Sequence, residues 1–134
     1  YTVKDSFSFA EDIRSTDSGC VIASFYIDSL FTNVPLDETI DICCNMLFTN
    51  CSTVNGLTKD QLRELLVLAT KESFILFNGR YYSQTDGVAM GSPLGPTLAN
   101  IFLCYHEKIW LNKCTTQFKP IYFRRYVDDI FALF

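Results

Sequence analysis

The chain has 134 residues, 49% apolar and 15% aromatic, with twelve Phe and seven Tyr. That composition excludes disordered, low-complexity and collagen-like classes and predicts a single domain over 1–134 with a substantial core. Eleven basic against fifteen acidic residues leave a net charge of −4, which argues against a stand-alone electrostatic binder of nucleic acid: a polyanion would need metal ions or further protein.

Residues 20–31, Cys-Val-Ile-Ala-Ser-Phe-Tyr-Ile-Asp-Ser-Leu-Phe, are β-branched and aromatic and follow Asp17-Ser18-Gly19. The run predicts a buried central strand, broken by Thr32-Asn33-Val34-Pro35. From Pro35 to about Phe48, Leu36, Ile40, Cys43, Cys44 and Leu47 recur at three and four, and Asp37 and Glu38 suit the positive end of a helix dipole. Thr58-Lys59-Asp60-Gln61 has capping-box spacing and opens a second helix, with a stripe of Leu62, Leu65, Leu66 and Ala69 and an end near Glu72.

Asn78-Gly79 between Phe74–Phe77 and Arg80–Ser83 predicts a hairpin, because both turn positions favour positive φ. The Gly- and Pro-rich stretch 87–96 feeds a helix from Thr97 to about Trp110, and 113–119 reads as a surface connection. Ile121–Val127 and Ile130–Phe134 form a second hairpin with Asp128-Asp129 at its tip.

The six cysteines lie mostly in apolar stretches without CxxC spacing, which predicts reduced core thiols rather than disulfides or a zinc site. No apolar run reaches the ~18 to 20 residues of a membrane span, and the first twenty residues lack a signal-peptide pattern. The expectation is an intracellular protein, nucleus or cytoplasm undistinguished, with no membrane partner. A start at Tyr1 and an end inside an apolar run predict an excerpt from a longer polypeptide.

Two carboxylates at a hairpin tip between hydrophobic strands repel each other, and a divalent cation relieves that; a solvated Asp-Asp turn is the plain alternative. Three stretches in order carry more. Ser29-Leu30-Phe31-Thr32-Asn33-Val34-Pro35, then Met90-Gly91-Ser92-Pro93-Leu94-Gly95-Pro96-Thr97-Leu98-Ala99-Asn100-Ile101-Phe102, then Tyr126-Val127-Asp128-Asp129 resemble the successive palm motifs of reverse transcriptases, most closely those of Penelope-like retroelements.

The resemblance implies an α+β fold, an antiparallel palm-type sheet backed by helices, as a fragment of a right-hand polymerase with part of the fingers. It implies nucleotide addition to a DNA primer on an RNA template, using deoxynucleoside triphosphates and two Mg²⁺ ions. The rest of the polymerase (fingers and thumb, with or without an endonuclease domain) would be its partner. Asp128, Asp129 and Asp28 are then the candidate catalytic acids, with Asp128 and Asp28 as metal ligands. Phe31 stands where the family places an aromatic under the incoming sugar; core packing is the alternative. Gly91, Ser92 and Pro93, before a helix N-terminus, would meet nucleotide and template, against a mere capped loop. Arg124 or Arg125 would meet primer phosphate on one face of the strand, against a solvated edge.

One position departs from the pattern. The family's first metal-binding Asp lies three residues before the Ser of Ser-Leu-Phe-Thr-Asn, and that position is Tyr26. Asp28 is about 6.5 to 7 Å further along an extended strand, and a Tyr hydroxyl with a pKa near ~10 does not replace a carboxylate at neutral pH. Either Asp28 substitutes through a local bulge, or this copy is impaired, a nucleic-acid-binding or scaffold domain of the same ancestry. The frame that keeps Ser29-Leu30-Phe31 in place puts residue 26, not 28, beside Asp128.

Overall fold

The computed structural model describes residues 1–14, 16, 19–72 and 74–134. It is a mixed α+β structure with antiparallel sheets and divides into two compact units, 1–28 with 106–134, and 29–105. Among the described residues no helix is long and apolar enough to cross a membrane.

The first unit is built on a three-stranded antiparallel sheet in the order β1-β5-β4, where β1 is Ile22–Tyr26, β4 is Tyr122–Tyr126 and β5 is Asp129–Leu133. The centre falls to β5, whose Ala132 and Leu133 are buried. Along the outer side of β4 the chain start pairs with Arg125, whose amide donates to the Tyr1 carbonyl at 3.0 Å. Helix α1, Ser6–Arg14, has no counterpart in the sequence reading. It is held by Phe9, which meets the Phe131 ring edge-on at 5.2 Å, and by Asp12, which accepts from Tyr122 and Arg124.

The run 20–31 is not a buried central strand. β1 is short, lies at the sheet margin and is largely exposed, with Ile22 at 69% and Tyr26 at 65%. Two causes act: β5 takes the central place by pairing on both sides, and Ser29 turns to φ 51°. Leu30–Asn33 then forms the helical turn α2, closed by the Thr32 hydroxyl donating to the Ser29 carbonyl. The turn proposed at Asp17-Ser18 lies outside the described residues.

In the second unit, α3 (Leu36–Leu47) packs on α4 (Lys59–Lys71). Leu36, Ile40 and Cys44 are buried as the spacing predicts, but Leu47 is exposed at the helix end. On α4 the covered positions are Leu62, Leu66 and Thr70, four apart, and beside them Arg63, Val67 and Lys71, whereas Leu65 and Ala69 face outward. The capping box is complete: Gln61 N–H donates to the Thr58 hydroxyl and Thr58 N–H to the Gln61 side chain. The first hairpin, β2 (Phe74–Phe77) and β3 (Arg80–Ser83), forms as the sequence predicts, with Asn78 and Gly79 both at positive φ. Helix α5, Gly95–Lys113, begins and ends a few residues beyond the expected limits. All six cysteines are free thiols, Cys44 buried and Cys51 exposed.

Candidate active site

Tyr26 closes β1 opposite Asp129, the first residue of β5, and Tyr126 closes β4 opposite the same Asp129. Directly paired residues share a face, so Tyr26, Asp129 and Tyr126 form one row across the sheet. Asp129 and Tyr126 also line a cavity of about 600 Å³ with Phe9, Ser24, Arg124 and Phe131. The tip of the hairpin is Val127-Asp128 rather than Asp128-Asp129, because Val127 takes the left-handed conformation at φ 56°. For a β-branched residue that conformation is strained, and two bonds hold it: the Asp128 carbonyl accepts from Ile27 N–H at 2.8 Å, and the Val127 carbonyl accepts from Arg125 Nη1 at 3.0 Å.

Hydrogen bonding to the Asp128 carboxylate and its charge, then partial desolvation, then the charges of Asp28 and Asp129 raise the Tyr26 pKa above its ordinary value of 10.0. At neutral pH residue 26 therefore offers a protonated hydroxyl. Asp28 lies beyond the strand end in an exposed turn.

The two arginines separate as strand alternation requires. Arg124 is half-buried, pairs with Asp12 at 3.2 Å and lies over the Tyr122 ring. Arg125, expected at primer phosphate, is instead 1% exposed, with its guanidinium paired to Glu107 of α5, itself 3% exposed. A cation buried against a carboxylate has no surface to offer a phosphate. Glu107 was not singled out from the sequence, since nothing local marks its partner eighteen residues away.

The remaining candidates belong to the second unit. Phe31 lies on α2, half-buried, and its carbonyl accepts from Val88 N–H at 2.7 Å. In the loop, Gly91 has φ 93°, Ser92 N–H donates to the Ala89 carbonyl and Gly95 N–H to the Ser92 carbonyl, each at 3.0 Å. The Ser92 hydroxyl accepts from Leu94 N–H at 3.3 Å. Gly91 and Pro93 are exposed and Ser92 half-buried.

As they stand, these side chains do not fit a two-ion Mg²⁺ centre. Among the described residues no three His, Cys, Asp or Glu side chains come together to hold a metal ion. Mg²⁺ takes oxygen ligands at ~2.0 to 2.1 Å with near-ideal octahedral geometry, and the hydroxyl at residue 26 is protonated at neutral pH.

No protein-family model matches the chain. No curated protein matches it either. Among solved structures it is similar to the apo telomerase of Candida tropicalis truncated from the C-terminal domain, at 15% identity and a TM-score of 0.72. The match covers 98% of this chain and 29% of the telomerase chain, so the chain spans under a third of that protein. The fold of this chain is similar to that of a stretch of this telomerase.

Proposed function

We propose that the chain is the palm region of a reverse-transcriptase-type polymerase, and that nucleotide transfer is impaired in this copy. The observation that carries the reading is the tyrosine at position 26, which the β1–β5 register pairs with Asp129 at the acidic turn. It stands in the motif frame where a second carboxylate belongs, and its hydroxyl is uncharged at neutral pH. Support for the polymerase reading comes from the order of the three motif stretches and from the fold shared with a telomerase, itself a polymerase related to reverse transcriptases. The Penelope-like likeness rests on the motif stretches alone.

In this reading the substrates are deoxynucleoside triphosphates, a DNA primer and an RNA template. Phe31 meets the incoming sugar, Gly91, Ser92 and Pro93 meet nucleotide and template, and Arg124 is the cation left for a backbone phosphate. Asp128 and Asp129 remain the acids, Asp28 does not replace the missing one, and Mg²⁺ binding is weak.

Primer extension by the complete polymerase, with Mg²⁺ supplied, tests this. Tyr26→Asp is expected to raise extension at least tenfold, equivalent to ~1.4 kcal/mol of barrier, and to tighten Mg²⁺ binding. Asp28→Asn in the native background is expected to change little. Native extension equal to that of Tyr26→Asp, together with a dead Asp28→Asn, overturns the impairment. A second reading, a nucleic-acid-binding scaffold without turnover, is favoured by the same tyrosine. It is the outcome if Tyr26→Asp stays inert while template–primer still binds.

A further inference from the structure

Two glycines place Phe31, and they do so in different ways. At Gly87, φ is +71°, and a Cβ would stand 2.4 Å from the Thr32 carbonyl oxygen and 2.5 Å from its Cα. The chain crosses the backbone of α2 there with no room for any side chain, and the next residue, Val88, is 1% exposed and donates to the Phe31 carbonyl. Gly87 is thus required by the crossing itself.

Gly95 is a different case. Its φ is not positive, so its backbone conformation is open to any residue. A Cβ there would meet Val88 Cγ1 at 3.4 Å, the Ala89 carbonyl oxygen at 3.7 Å and Phe31 Cδ1 at 3.9 Å, which are ordinary contacts. Glycine at the start of a helix has a conformational cost and here serves no turn. What its missing side chain leaves is space beside Cδ1 of the Phe31 ring.

We infer that Gly95 is a specificity-determining position: the space left by its missing side chain is what lets the Phe31 ring sit where it does, and the position of that ring decides how a ribose 2′-hydroxyl is received. The inference rests on the proposed place of Phe31 at the incoming sugar. A larger residue at 95 takes that space and displaces the ring toward the sugar, which narrows the room for a 2′-hydroxyl. Removing the ring widens it, so the two changes act in opposite directions.

The test needs no turnover. The complete polymerase is held on a dideoxy-terminated primer–template, and the Kd values of the matched deoxy- and ribonucleoside triphosphates are measured in Mg²⁺. Gly95→Val is expected to raise the ribo/deoxy Kd ratio about three- to tenfold, what a ring forced some tens of degrees off its rotamer forfeits. Phe31→Ala is expected to lower the ratio. In the Phe31→Ala background, Gly95→Val is expected to have no further effect, because the coupling needs the ring. If Gly95→Val does not fold, Gly95→Ala takes its place, with a rise of about twofold that likewise vanishes without the ring. A ratio unchanged by the residue-95 variant while Phe31→Ala shifts it, or a shift that persists without the ring, overturns the inference. If Phe31→Ala itself leaves the ratio unchanged, the sugar-contact reading falls and takes this one with it. If no variant, nor the native protein, binds nucleotide, the polymerase reading falls.

Discussion

Arg125 gives the acidic turn a fixed point. Its guanidinium donates to Glu107 on one side and to the Val127 carbonyl on the other, so a buried ion pair ends on the residue before Asp128. Removing one partner leaves an unpaired buried charge, and Glu107→Ala is expected to cost ~3–5 kcal/mol in urea unfolding. Replacing both, Arg125→Met with Glu107→Leu, is expected to restore most of that stability, because two apolar side chains avoid the desolvation of two ions. A double replacement as unstable as Glu107→Ala would show that the pair is worth more than its volume. Sequence reasoning reaches only half of this. Strand alternation says that Arg124 and Arg125 face opposite sides, but not which one turns inward, because the partner of Arg125 lies on a helix distant in sequence. Tyr26 is the opposite case: its position in the motif frame is legible residue by residue, and the β1–β5 register puts it beside the acidic turn.

At the scale of elements, α3 and α4 are joined by a ladder that follows from helix geometry. Asp37, Asp41 and Asn45 stand four apart on one face of α3 and meet Lys71, Arg63 and Lys59 in descending order on α4, as antiparallel neighbours must. The Lys71 ammonium donates to Asp37 at 2.6 Å and holds that carboxyl below its ordinary 3.8. A depressed carboxylate contributes stability that is full above the unfolded value and is lost as pH falls through the folded one. Lys71→Met is therefore expected to lower stability at neutral pH by no more than ~1 kcal/mol, since the pair is exposed. The difference from native should disappear in melts taken below the folded pKa of Asp37, and a constant difference across acid pH would assign the loss to packing. Elements whose signal is local were legible: the Asn78-Gly79 turn, the Thr58 box and the i, i+4 burial of Leu36, Ile40 and Cys44. β1 was misjudged because an apolar run announces a strand without announcing its neighbours, and neighbours decide burial. Helix α1 escaped notice because none of its residues is buried, so it leaves only a faint periodic trace.

The molecule as a whole carries an unusual amount of apolar surface. On the β2–β3 hairpin every residue is exposed, with Phe74 and Phe77 at 70% and Tyr81 at 76%. Pairing puts Phe74, Leu76 and Tyr81 on one face and Ile75, Phe77 and Tyr82 on the other, so neither face is polar. Two strands alone are marginally stable in water, and apolar patches of this kind drive association. The isolated chain is expected to self-associate at micromolar concentrations in sedimentation velocity, and Leu76→Thr with Tyr81→Thr is expected to reduce that association. Monomeric sedimentation of the native chain over the same range would show that the hairpin faces are not sticky.

The margin formed by β1 has a different consequence. Val21 exchanges hydrogen bonds with Phe134 and Ile27 N–H reaches Asp128, so the alternate amides of Ile22, Ser24 and Tyr26 point away from β5. The far side of β4 already carries the chain start, and among the described residues no strand takes the far side of β1. The sheet consequently has one growing end, and a newly added strand would lie alongside the backbone of the same tyrosine that caps the acidic turn.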